Sequence, residues 1–211
     1  MSQKFSWNTI LLHAAQINSS DFMSGMMRRR EAQGSKSPMG SLDCAFVYAL
    51  TRWRRPSVVV ETGGFLGMSS AFILKAMQDE GVVQPQLYSV EWMPDCPHGV
   101  LIPDELKGGF IPLTGKVEDF MKKGSFPARV DMFLHDSSHR YKHMLMEFRY
   151  FWDRMGDGGL LLSHDVDMSA AFPDFVSKTY AHDKIGQTDR ERTSHYEWGR
   201  LGKVGVMVKK A

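Results

Sequence analysis

Residues 57–70 read SVVVETGGFLGMSS, an order of residue types that few folds accommodate. Val58, Val59 and Val60 form an unbroken β-branched run that suits a buried strand. Gly63, Gly64 and Gly67 follow, and residues 68–77 then carry apolar side chains at the spacing of a helix packed on a sheet. Strand, glycine loop and helix in that order open a βαβ unit. The glycines permit positive φ and close approach of a ligand to bare backbone, while the helix start presents unpaired N–H groups.

The dinucleotide pattern G-x-G-x-x-G would require glycine at 65 and 68, where the chain has Phe65 and Met68. The pattern present is E-x-G-x-x-x-G-x-S, carried by Glu61, Gly63, Gly67 and Ser69. A second strand over 87–90 ends at Glu91, where one carboxylate can accept from both hydroxyls of a ribose. That acid suits any adenosine-containing ligand and does not separate one from another.

Around this unit the chain alternates. Residues 1–35 read as helical, 31–40 as a polar loop, and 42–53 as a helix with Ser41 at its N-cap, ended by Pro56. A third strand over 110–113 contains Pro112, which suits only an edge. A fourth strand spans 130–134, a helix runs on to Met155, and a G-D-G-G turn leads to a fifth strand at 160–163. A helix over 168–182, broken near Pro173, and a last strand within 199–210 complete the order, with 186–196 as partner strand or loop. The expected fold is α/β: a Rossmann-like, doubly wound, mostly parallel sheet with helices on both faces and an antiparallel last strand. One domain over 1–211 is expected, with a helical segment 1–55 ahead of a core over 56–211.

The polar clusters collect at strand ends: Glu61, Glu91, Asp136 with His139, and His164 with Asp165. D-x-x-H-x-Y after strand four (Asp136, His139, Tyr141), together with the glycine motif, resembles the class I S-adenosylmethionine-dependent methyltransferases. The nearest likeness is to the small O-methyltransferase branch, with its catechol-like, macrocin-like and sugar-modifying groups, over about residues 37–167. The resemblance implies S-adenosylmethionine bound by Glu61, Gly63, Gly64, Gly67, Ser69, Glu91, Trp92 and Asp136. It implies His139 as general base beside Asp136, and a divalent metal, magnesium or manganese, on Asp136, His164 and Asp165. His164 stands where the relatives have Glu or Asp, and imidazole is a poorer magnesium ligand, so a softer ion or no metal is also open. Lys116 stands where the family often has Asp. The implied acceptor is a hydroxyl of a small molecule or sugar.

A net charge of +2 is too small to suggest nucleic acid as a partner. Cys44 and Cys96 have no C-x-x-C spacing, no apolar run reaches membrane-spanning length, and no signal-peptide core is present, so no membrane partner and a cytoplasmic location are expected. A homo-oligomer is left open. Two rival readings are a metal-dependent phosphohydrolase, suggested by the His135-Asp136 and His164-Asp165 pairs, and a non-catalytic adenosylmethionine-binding protein. The first leaves the glycine loop and Glu91 without a role.

Overall fold

The computed structural model describes residues 6–34, 39–184 and 202–209. Three helices lead: α1 (Trp7–Asn18), α2 (Asp21–Ala32) and α3 (Ser41–Arg54). The serines before the first two act as caps, Ser6 accepting from Thr9 N and Ser20 from Met23 N. The third helix differs from expectation by one residue, with Gly40 at the N-cap and Ser41 already helical. It ends at Arg55, which takes a left-handed conformation because helical geometry is disfavoured before Pro56.

There follow β1 (Val58–Thr62), α4 (Met68–Asp79), β2 (Gln86–Glu91), a 3₁₀ turn, β3 (Phe110–Thr114), α5 (Val117–Lys123) and β4 (Val130–His135). The chain continues through α6 (Tyr141–Arg154), β5 (Met155–Ser163), α7 (Ala171–Lys184) and β6 (Gly205–Val208). The strands form one sheet in the order β3-β2-β1-β4-β5-β6, with β6 alone antiparallel. This is the doubly wound, Rossmann-like α/β arrangement. Pro112 lies on edge strand β3 opposite Ser89, where its missing N–H costs no interior ladder bond.

Three elements depart from expectation in detail. The G-D-G-G segment belongs to β5, which starts at Met155 with a register shift between Val130 and Met132 and positive φ at Gly158. Pro173 does not break a helix; it lies in the first turn of α7, where its missing N–H would have had no partner anyway. The last strand is shorter than 199–210, and the segment 186–196 lies outside the described residues.

Strand alternation sorts the core into two layers. Val59, Met132, Leu134, Leu160 and Leu162 pack with Ile10, Phe46, Leu50 and Phe72 beneath α1, α3 and α4. Val60, Phe133, Leu161 and Met207 point the other way, into Phe148, Phe151 and Phe172 from α6 and α7. The N-terminal helices therefore share a core with the sheet. The order reverses between β1 and β4, so their carboxyl ends diverge and open a crevice.

Candidate active site

A cavity of about 690 Å³ fills that crevice. Thr62, Gly63 and Phe65 line it after β1, Glu91, Trp92 and Met93 after β2, and residues 115–118 after β3. The loop after β4 and the start of α6 close it with Asp136, Ser137, Ser138, Arg140 and His143. Its size and position fit a drug-sized or nucleoside-sized ligand.

The glycine loop is shaped first by the protein itself. Gly63 has φ +82°, and a Cβ there would fall onto the carbonyl oxygen of Asp136. The loops after β1 and β4 can touch only at a glycine, and Asp136 N donates to Thr62 O at 2.9 Å beside that contact. At Gly67, φ +86°, a Cβ would lie 2.7 Å from Gly99 Cα.

The eight residues expected around a cofactor fall into two groups. Gly63, Glu91, Trp92 and Asp136 line the cavity. Glu61, Gly64, Gly67 and Ser69 are not on its wall. The Glu61 side chain is completely buried and accepts from Ser69, Ser70 and Ser89, a bundle that ties β1 to β2 and α4. Burial pushes its pKa above the usual carboxylate value despite those three hydroxyls. Glu91 accepts from Phe65 N and Met93 N, each at 3.0 Å, and so joins the β1 and β2 loops with half its acceptor capacity left over. Trp92 is 65% exposed at the cavity mouth.

Asp136, His139, His164 and Asp165 meet beyond the cavity, because β4 and β5 are neighbours with His135 opposite Ser163. Asp136 is common to the cavity and this cluster. The His139 Nε2 atom lies 3.6 Å from Asp165 Oδ2, and its Nδ1 is buried without a hydrogen bond. Burial and the neighbouring His135 hold its pKa below the ordinary histidine value, which keeps it neutral near pH 7. The His164 ring is fully buried, with Nδ1 2.9 Å from Asp136 Oδ1 and Nε2 3.3 Å from Asp43 Oδ2. Burial opposes its charge, but the hydrogen bonds to Asp136 and Asp43 prevail and push its pKa up to about 10.

These contacts bear on the metal expected at Asp136, His164 and Asp165. Both His164 nitrogens face carboxylates, so neither offers a lone pair to an ion. Asp165 Oδ1 accepts from Lys203 Nζ at 2.8 Å. One atom each from Asp136, His139 and Asp165 lies within 4.8 Å of the other two. Asp136 faces His164 and Asp165 faces Lys203, so an ion at this trio would compete with both.

Sequence reasoning missed a buried carboxylate. Glu147 on α6 is completely buried, its Oε2 accepting from Thr62 Oγ1 and His135 Nδ1, both at 2.7 Å. Its Oε1 meets Ser137 Oγ at 2.9 Å and His143 Nε2 at 2.8 Å. Burial works against its charge, but the bonds to His135 and His143 hold its pKa down at about 2. The available signal was its position among Met144, Phe148 and Phe151 on the apolar face of α6. Asp43 was missed too, since nothing near it in the chain marks its partner. With His135 bound to Glu147 and His164 clamped, both His-Asp pairs behind the phosphohydrolase reading are otherwise engaged.

Solved structures with this fold include an O-methyltransferase from Bacillus cereus in complex with SAH, at a TM-score of 0.64 and 13% identity, covering 90% of this chain and 92% of that one. The O-methyltransferase TomG from Streptomyces achromogenes, involved in tomaymycin synthesis and solved with SAM, gives 0.61 and 16% over 90% and 91%. The SAH-bound methyltransferase PaMTH1 of Podospora anserina gives 0.63 and 11% over 99% and 98%. No curated protein matches the chain in sequence. Residues 60–166 of the 211 match the family model described as a methyltransferase domain. That span runs from β1 past Asp165 and carries the whole cavity lining and the His139 cluster, and the chain belongs to this methyltransferase domain family.

Proposed function

We propose that the chain transfers the methyl group of S-adenosylmethionine to a hydroxyl of a small molecule, with His139 as the base. The observation that carries the reading is a nucleoside-sized cavity at the strand-order reversal that runs from Glu91 to Asp136, with a neutral histidine just beyond. The similar structures solved with SAH or SAM support the choice of cofactor.

In this reading the free lone pairs of Glu91 take the ribose hydroxyls, and Trp92 with residues 115–118 covers the adenine. Gly63 and Asp136 would hold the methionine end of the cofactor, while Glu61, Gly64, Gly67 and Ser69 set the loop's shape from behind. When bound there, S-adenosylmethionine would supply a methyl group for in-line displacement by the acceptor oxygen, the carbon–sulfur bond breaking to release adenosylhomocysteine. The hydroxyl proton passes to His139, whose ring Asp165 orients. Among the described residues no helix is long and apolar enough to cross a membrane.

Calorimetry with adenosylhomocysteine tests the cofactor half. Glu91→Ala is expected to weaken binding by about 1.5–3 kcal/mol, the range for hydrogen bonds to a charged group. Binding of NAD in place of adenosylhomocysteine would defeat the reading. A panel of hydroxylated acceptors then tests turnover.

A further inference from the structure

Asp43, Asp136 and Asp165 converge on one buried imidazole, and the bookkeeping of donors there is unusual. With a carboxyl oxygen within hydrogen-bond distance of each ring nitrogen, a histidine has no lone pair left to offer an ion. His164 is in that position, 2.9 Å from Asp136 and 3.3 Å from Asp43, with Asp165 Oδ2 3.5 Å from Nδ1 as well. Its placement is over-determined. The backbone N of His164 donates to His135 O at 2.9 Å, and Asp43 is itself held by the backbone N of Lys203 at 2.8 Å. Asp43 also lies in the first turn of α3, where the helix dipole favours a negative charge. Lys203 then brings a second cation to Asp165.

We propose that His164 replaces a divalent ion in this cleft: gripped between Asp43 and Asp136, it positions the carboxylate on the cavity wall, and methyl transfer runs without a metal. The proposal rests on the methyltransferase reading above, and it assigns His164 a positioning role that acts through Asp136. An ion on Asp136, His139 and Asp165 would have to compete with His164 for the first carboxylate and with Lys203 for the last. It also gives the N-terminal helical segment a direct part in the site, since Asp43 is the far jaw of the clamp.

The test is metal binding, read independently of turnover. Wild-type protein titrated with Mn²⁺ and followed by electron paramagnetic resonance is expected to show no stoichiometric binding, and turnover is expected to persist in excess EDTA. Nitrogen-detected NMR of the His164 ring at pH 8 should show both nitrogens protonated. His164→Asp, which restores a carboxylate, is expected to bind Mn²⁺ at least tenfold more tightly than wild type. Stoichiometric Mn²⁺ binding by wild type that Asp165→Asn abolishes would overturn the proposal, as would an unprotonated His164 nitrogen. If His164→Asp does not fold, the wild-type titration and the NMR spectrum still decide. Failure of the methyltransferase reading would appear separately, as loss of adenosylhomocysteine binding.

Discussion

Replacing Glu147 by Gln isolates the charge of a buried carboxylate without changing its shape. Glu147 takes Thr62 and His135 on one oxygen and Ser137 and His143 on the other, joining β1, β4 and α6 beneath the cavity. A glutamine has one accepting oxygen, so its NH₂ would face two groups that are now donors. Two lost hydrogen bonds to a charged group amount to about 3–6 kcal/mol. Linkage gives a second route to the figure: a folded pKa of about 2 against the ordinary 4.5 corresponds to roughly 3 kcal/mol at neutral pH. Because this pKa is depressed, its contribution is complete above 4.5 and lost as pH falls toward 2. Urea unfolding at pH 7 should therefore show Glu147→Gln less stable by about 3–6 kcal/mol, a drop in Tm of roughly 6–24 °C. The gap should be about 0.8 kcal/mol smaller at pH 4 than at pH 5.5, a window below the ordinary titration of His143. A penalty under about 1 kcal/mol, or one identical at both pH values, would show that Glu147 is not the ionised hub of this network.

Other outcomes follow from the same contacts. Hydrogen bonding to Glu147 raises the pKa of His143, so its contribution is full below 6.5 and fades as pH rises through the raised value; His143→Gln should cost more stability at pH 6 than at pH 9, measured by urea titration. Gly63→Ala meets both positive φ and the Asp136 carbonyl, and should lower stability by roughly 2–4 kcal/mol as well as cofactor affinity, read by thermal melts and calorimetry. His139→Ala should keep adenosylhomocysteine affinity while cutting turnover by about 10²–10⁴-fold. In wild type the acid limb of kcat/KM should have its midpoint below 6.5, since burial and His135 disfavour protonated His139; a midpoint above 7 would exclude it as the base.

The parts of the fold that were legible carry local signals. A valine triplet, glycines at the following turn and apolar spacing at 68–77 specify β1, its loop and α4 from neighbouring residues alone. Pro112 marked an edge because a missing N–H is a property of one residue, wherever the strand lies. Pro173 was misread for the complementary reason. The same missing N–H ends a helix or starts one depending on where the first turn falls, and the packing of Phe172 and Phe175 on α6 decides that.

The candidate site was legible as a set of strand ends and illegible as a set of pairings. Motif positions located Gly63, Glu91 and Asp136 on one crevice with His139 just beyond it, because the topology of a doubly wound sheet brings those ends together whatever the side chains do. They could not show that Glu61 would satisfy itself on three serines, or that His164 would find Asp43 across 121 residues of sequence. A carboxylate's role depends on which donor reaches it first. Glu61 and Asp43 carry the same chemical group as Glu91, yet only Glu91 keeps lone pairs on the cavity, because its partners are the two backbone amides that shape the cavity's rim. His164 makes the same point from the other side. Its place in the motif suggested a metal ligand, and the fold sets a carboxyl group against each of its ring nitrogens, which no local pattern announces.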